Sequence, residues 1–347
     1  MASIAPHVPL KAPPSLAELS ELERLVDAGG ATVRTRVLCE VAQGGSRLPV
    51  IAVTLGNDDP SLPAVGFFGG VHGLERIGAQ VVLAHLHGLV TRLPWDHALH
   101  GLLERLRIVF VPIVNPGGMV LGTRANPAGV DLMRNAPVDA RGSVAPGIGG
   151  QRLSARLPWY RGAPGESMQP ESQALCSFVQ EELTSRCFSI SLDCHSGFGL
   201  RDRLWFPHAC TREPIEHLAQ MHALGTLFEQ GHPQHRYVFE PQSRQYLAHG
   251  DLWDHLYLQA CGHGARVFLP LTLEMGSWSW VKKNPRQLFS RQGIFNPLVA
   301  HRHERVLRRH LPVMDFLMRA AASCDRWLPD DALSESHRVA ALRRWWG

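Results

Sequence analysis

His72 and Glu75 stand three residues apart in "GGVHGLE", directly after an apolar run. His195 and Glu274 close two later apolar runs, in "LDCHSG" and "TLEMGS". Imidazole nitrogen and carboxylate oxygen are zinc ligands, and catalytic zinc sites keep three protein ligands plus one position for water. His72, Glu75 and His195 make such a set. A spacing of three puts His72 and Glu75 on one face of a turn or first helical turn. Glu274 is then free to act as base toward a zinc-activated water. Taken singly, each residue has a plainer reading. Glu75 fits a helix N-terminal carboxylate stabilised by the macrodipole. The chain has 19 histidines, and His85, His87, His97 and His100 lie on or beside a helical stretch, where packing or solvation explains them. The metal reading rests on three strand ends that each carry a residue of the right type.

A loop adds cations. "VLGTRANPAGVDLMRNAP" (120–137) holds Arg124, Asp131, Arg134 and Asn135. A guanidinium can grip a substrate carboxylate in bidentate fashion or stabilise an oxyanion beside a metal. Asp131 can orient a ligating histidine from behind. Either arginine alone also reads as a loop residue in water.

The elements that must position these groups follow from periodicity. "ATVRTRVLCEVA" (31–42) alternates and predicts a strand, with "RLPVIAVTLG" (47–56) as its hairpin partner across "QGGS". "LPAVGFFGG" (62–70), "LRIVFVPIVNP" (106–116), "CFSISLDCHSG" (187–197) and "ARVFLPLTLEMGS" (265–277) read as strands buried on both faces. Helical stretches cover 75–90, 170–183, 213–230 and 296–323. Residues 117–165 show little periodicity, and a loop that long in a compact domain is usually functional. The alternation implies an α/β fold with a mixed, largely parallel twisted sheet and helices on both faces. Ligand sites in such sheets form at the carboxyl ends of the strands, where His72, Glu75, His195 and Glu274 fall. The expected organisation is an N-terminal segment (1–30), one catalytic domain (31–323) and a C-terminal tail (324–347) ending "RRWWG".

Composition narrows the class. Of 347 residues, 45% are hydrophobic and 19% charged, which marks a core-forming chain. The net charge of +4 is carried by scattered arginines, so nucleic-acid binding is not expected. The one dense run, "HRHERVLRRH" (301–310), reads as a solvated helix face. Seven widely spaced cysteines without a C-x-x-C pair argue for a reducing compartment. No apolar stretch approaches the roughly 18 residues of a membrane span, and the N-terminus lacks a secretory pattern. A cytoplasmic protein is expected, and nothing in the sequence fixes its oligomeric state.

The motifs, in chain order, are "HGLE", "NPGGM", "GTRANPAGVDLMRN", "QPESQAL", "LDCHSG" and "TLEMGS". Together they resemble the zinc carboxypeptidase (carboxypeptidase A-like) metallopeptidases over about residues 66–276. The resemblance implies the α/β/α fold of that family and one zinc per chain, held by His72, Glu75 and His195. It implies Glu274 as the catalytic glutamate and Asp131 as the aspartate behind the first histidine. Arg134 falls on the arginine that binds the substrate's terminal carboxylate, and Arg124 on the one that polarises the carbonyl. The family's mobile tyrosine is placed at Tyr257 by its offset in "HGDLWDHLY", with Tyr246 as the fallback. The side-chain pocket is expected within "LQACGHGARVFLPLTL" (258–273). One position departs: Met133 stands where the family usually carries an asparagine that helps hold the terminal carboxylate. A thioether cannot donate that bond; Asn135 is the substitute donor at a different offset.

The resulting expectation is a zinc metallocarboxypeptidase acting on peptides. Met133 keeps open a zinc amidase or deacylase acting on murein peptides or N-acyl amino acids. A catalytically silent binding protein on the same fold is a third possibility. "HERVL" is not an H-E-x-x-H helix, and neither G-x-S-x-G nor a phosphate-binding loop occurs.

Overall fold

The computed structural model describes residues 16–261 and 266–347. Its eight strands are β1 (Arg34–Gln43), β2 (Ser46–Gly56), β3 (Ala64–Gly69), β4 (Arg107–Val111), β5 (Phe188–Ser196), β6 (Arg203–Phe206), β7 (Val238–Pro241) and β8 (Val267–Met275). They form one sheet in the order β1-β2-β4-β3-β5-β8-β6-β7. β4, β3, β5 and β8 run parallel to one another, as do β6 and β7. The hairpin β1–β2 and the joins β2–β4 and β6–β8 are antiparallel. The sheet is therefore mixed and largely parallel, as the continuous apolar runs imply.

The helices are α1 (Ala17–Gly29), α2 (Arg76–Arg92), α3 (His97–Leu103), α4 (Pro116–Leu121), α5 (Pro170–Val179), α6 (Leu218–Gly231), α7 (Leu252–Cys261), α8 (Trp278–Lys283), α9 (Ala300–Ala322), α10 (Cys324–Trp327) and α11 (Asp331–Trp345). Consecutive residues of β3 show why both faces need cover. Phe67 meets His85 of α2 at 4.7 Å between ring centroids, while Phe68 meets Trp253 of α7 at 5.0 Å. Successive strand side chains alternate between faces, and here each face has its own helical layer. α2 and α9 pack on β3 and β5 from one side, and α5 and α7 close the other.

β3 lies between β4 and β5. The chain leaves β3 through α2 to β4 on one side and later returns to β5 on the other. That reversal opens a crevice at the carboxyl ends of β3 and β5. Gly70, with φ +63°, turns the chain out of β3 into it.

Two strands, β6 and β7, escape the sequence reading because each has four residues, too few for alternation to register. The "RRWWG" stretch folds as the end of α11 and docks on its own chain. Trp345 is buried against Phe206 at 4.7 Å, and its Nε1 donates to the Phe239 carbonyl at 2.8 Å. Part of the expected N-terminal segment and of the 258–273 stretch lies outside the described residues. Among the described residues, no helix is long and apolar enough to cross a membrane.

Candidate active site

The turn after β3 delivers His72 and Glu75. The Glu75 amide donates to the His72 carbonyl at 3.0 Å, closing the turn. Asn296, from a distant loop, clamps it. Asn296 Oδ1 accepts from the Ile77 amide at 2.9 Å, satisfying a free donor at the start of α2, and Nδ2 donates to the Leu74 carbonyl at 2.8 Å. β5 and β8 deliver the remaining pair. Their parallel register sets His195 directly beside Glu274.

Three of these buried groups, His72, Glu75 and His195, share one point. His72 Nδ1 lies 2.9 Å from Glu75 Oε1. His195 Nδ1 lies 3.3 Å from His72 Nδ1 and 3.3 Å from Glu75 Oε2. The outer nitrogens face carboxylates: His72 Nε2 meets Asp131 Oδ1 at 3.0 Å, and His195 Nε2 meets Asp193 Oδ2 at 2.6 Å. A neutral ring that donates its Nε2 proton outward leaves the Nδ1 lone pair pointing inward. Two lone pairs and a carboxylate then face one another, an arrangement that calls for a cation. The electrostatics express the same demand for positive charge. Burial alone would raise Glu75, but His72 and His195 hold its carboxyl well below the ordinary range. Burial opposes charge on His195, yet Asp193 and Glu75 drive its pKa well above the usual value. The donor set, two imidazoles and one carboxylate, fits zinc.

The loop supplies the next layer. Asn126 Oδ1 accepts from the Ala128 and Val130 amides, closing the turn that returns the chain to Asp131. Asp131 then accepts from the Met133 amide at 3.1 Å, starting the short turn that carries Arg134. Arg124 is gripped by two carboxylates, Nε to Asp131 at 2.7 Å and Nη1 to Glu75 at 3.1 Å. Glu274 Oε1 accepts from the Phe198 amide at 3.0 Å, while burial and the nearby Glu75 push its pKa up to about 8.

These groups line a cleft of about 610 Å³ that also takes in Arg134, Met133, Tyr246 and Asp251. Arg134 Nη2 donates to the Tyr246 hydroxyl at 3.4 Å, and its Nη1 lies 3.8 Å from Asp251 Oδ2. Phe198, Trp205, Tyr246 and Trp278 pack against one another along one wall, with centroids 5.4–6.1 Å apart.

Two expected substrate contacts lie elsewhere. Tyr257 is buried, and its hydroxyl accepts from the His217 amide at 3.0 Å, outside the cleft. Tyr246, the fallback, lines the cleft, while Tyr257 lies on the buried face of α7. Asn135 is spent on structure: Nδ2 donates to the Arg161 carbonyl and Oδ1 accepts from the Gln169 amide. It does not substitute for the missing donor at Met133. The expected side-chain segment contributes only Thr272 to the described lining. The wall comes instead from Phe198, β6 and α8. Sequence reasoning also missed Asp193, although it sits two residues before His195 on the same face of β5, and Trp253, whose Nε1 donates to Asp193 at 2.9 Å. Asp251 carried no sequence signal.

Comparison with known proteins agrees with this geometry. The family described as zinc carboxypeptidase matches residues 38–275. Carboxypeptidase D of Anas platyrhynchos is 23% identical over 186 residues, covering 51% of this chain but 11% of that protein. The chain therefore corresponds to a small part of the curated relatives it matches. Among solved structures, carboxypeptidase A from Helicoverpa armigera aligns with a TM-score of 0.64 at 18% identity, covering 88% of this chain and 72% of that one. Bovine thrombin-activatable fibrinolysis inhibitor, in complex with tick carboxypeptidase inhibitor, aligns with a TM-score of 0.63 at 17% identity, covering 88% and 96%. At these identities the likeness is one of fold.

Proposed function

The chain belongs to the zinc carboxypeptidase family, and on that premise we propose that it is a metallocarboxypeptidase hydrolysing a peptide bond beside a substrate carboxylate. The reading is carried by the convergence of His72 Nδ1, His195 Nδ1 and the Glu75 carboxylate, which supports these three as holders of one zinc ion. When bound, zinc supplies a Lewis acid that acidifies water and polarises a carbonyl. Asp131 and Asp193 keep the two rings in the tautomer that points Nδ1 inward. Glu274 takes the proton of the attacking water at Oε2, the oxygen left free by the Phe198 bond, and passes it to the leaving nitrogen. Arg124, anchored through Nε and Nη1, offers Nη2 to the carbonyl oxygen as negative charge develops there. Arg134, with Tyr246, takes the substrate carboxylate and so sets the bond in line. The aromatic wall takes an apolar side chain or acyl group.

The test is Glu274→Gln. The variant is expected to keep the wild-type zinc content and to hydrolyse roughly 10²–10⁴-fold more slowly. A zinc-loaded variant with undiminished turnover would remove Glu274 from this role.

One observation favours a second reading, an amidase or deacylase acting on murein peptides or N-acyl amino acids. Met133 offers no donor beside Arg134, and Asp251 already lies 3.8 Å from that guanidinium. Asp251 therefore stands where it would compete with an incoming substrate carboxylate. Kinetics on matched peptides with free and amidated C-termini separate the two. The carboxypeptidase reading expects strong preference for the free terminus, and a several-fold lower KM for it in Asp251→Asn. Equal turnover of both peptides by the unaltered enzyme selects the second reading.

A further inference from the structure

A second cluster of metal-type side chains lies behind the cleft, outside the machinery described above. His208 and Cys210 sit on the loop after β6, and Asp254 sits on the first turn of α7. All three are buried, and one ligand atom from each falls within 4.8 Å of the others. His208 is 7% exposed, its Nδ1 has no hydrogen-bond partner, and that atom faces Asp254 Oδ1 at 4.0 Å. A buried ring nitrogen without a partner is a feature that needs an explanation.

Two carboxyl groups lie close to it. Asp251 and Asp254 are both buried on one turn, and Arg134 answers only the first. Asp254 accepts from the Ala209 and Cys210 amides. A neutral imidazole with a free Nδ1 is the form that binds metals. One nitrogen, one sulfur and one oxygen donor suit zinc or another borderline first-row ion rather than calcium or magnesium.

We infer that His208, Cys210 and Asp254 form a second cation site, selective for zinc-like ions. Binding replaces the Cys210 thiol proton, which leaves to solvent, with a metal–sulfur bond. It ties the loop after β6 to the start of α7. That turn also presents Asp251 to Arg134, so the ion braces the substrate end of the cleft.

Cobalt separates this site from the one at His72, because the first donor set contains no thiol. Protein loaded with Co²⁺ in place of its resident metal is expected to hold two ions per chain and to show a thiolate-to-cobalt band in the near ultraviolet. Cys210→Ser is expected to lose the band and one ion. His72→Ala is expected to lose one ion and keep the band, so failure at either site is told from failure at the other. His208→Asn repeats the test should Cys210→Ser fold poorly. One ion per chain without a near-ultraviolet band, or a band that survives Cys210→Ser, overturns the proposal.

Discussion

At the centre of the cleft His72 Nδ1 and His195 Nδ1 stand 3.3 Å apart with the Glu75 carboxylate against both. Glu274 stands beside His195 on the neighbouring strand, and its pKa is shifted. Burial first, and then the Glu75 carboxylate, raise it to about 8. A carboxyl whose folded pKa exceeds its unfolded value holds its proton longer in the folded state. Between the unfolded value near 4.5 and about 8, the folded chain therefore binds more protons than the unfolded chain. Stability must fall as pH rises through that window. Glu274→Gln removes this contribution. In metal-free protein the variant is expected to gain on wild type as pH goes from 5 to 8.5, by at most a few kcal/mol. A bound divalent cation should shrink the difference, since it offsets the charge that Glu274 acquires. Urea unfolding of the two metal-free proteins at both pH values decides it; parallel stabilities would mean that Glu274 titrates normally.

At the scale of elements the site depends on how closely α2 crosses β5. A Cβ built on Gly78 would lie 2.1 Å from the Cys194 carbonyl oxygen, one residue before His195. Gly78→Ala must therefore push α2, with Glu75 at its start, away from β5. The expected outcome is a stability loss of about 1–3 kcal/mol together with weaker zinc retention, measured by unfolding and by dialysis against a chelator. Normal zinc retention would show that the helix shifts without opening the donor set. The same scale explains what could be read from sequence. β3, β4, β5 and β8 announce themselves because burial on both faces demands unbroken apolar runs. Their carboxyl ends then locate His72, Glu75, His195 and Glu274 without further information. Tyr257 was chosen by offset, and offset fails here because α7 turns that residue inward to His217 while the loop before α7 supplies Tyr246. Asp251 and Asn296 matter through contacts with Arg134 and with the His72–Glu75 turn. Such contacts follow from the folded path of the chain and leave no periodic trace. The short strands β6 and β7 were missed for the related reason that four residues hold too little pattern.

Across the whole molecule, α9 is the helix that joins α2, α6 and the strands β3 and β5 into one body. Two buried histidines stand at its contacts. His85 of α2 sits between Phe67 and Phe110 and meets Met318 Sδ at 3.3 Å. His310 of α9 meets the Tyr237 hydroxyl at 2.8 Å. Burial lowers the pKa of His85 to about 3 and that of His310 to about 4. Both are neutral when folded, whereas an unfolded histidine begins to charge near 6.5. Below that value the unfolded chain takes up protons that the folded chain refuses, so stability falls with falling pH down to about 4. This slope is opposite in sign to that of Glu274, and the two leave metal-free protein a stability maximum bounded on both sides. Loading the cleft with zinc should lift the alkaline side most, because its ligands hold the ion only when deprotonated. His85→Leu isolates the acid side: the position is enclosed by apolar groups, and leucine cannot charge. Its unfolding free energy is expected to fall less steeply than wild type between pH 6 and pH 4, by about 1.4 kcal/mol per pH unit for the single proton removed. Identical slopes in the two proteins would mean that acid lability in this window arises elsewhere than His85.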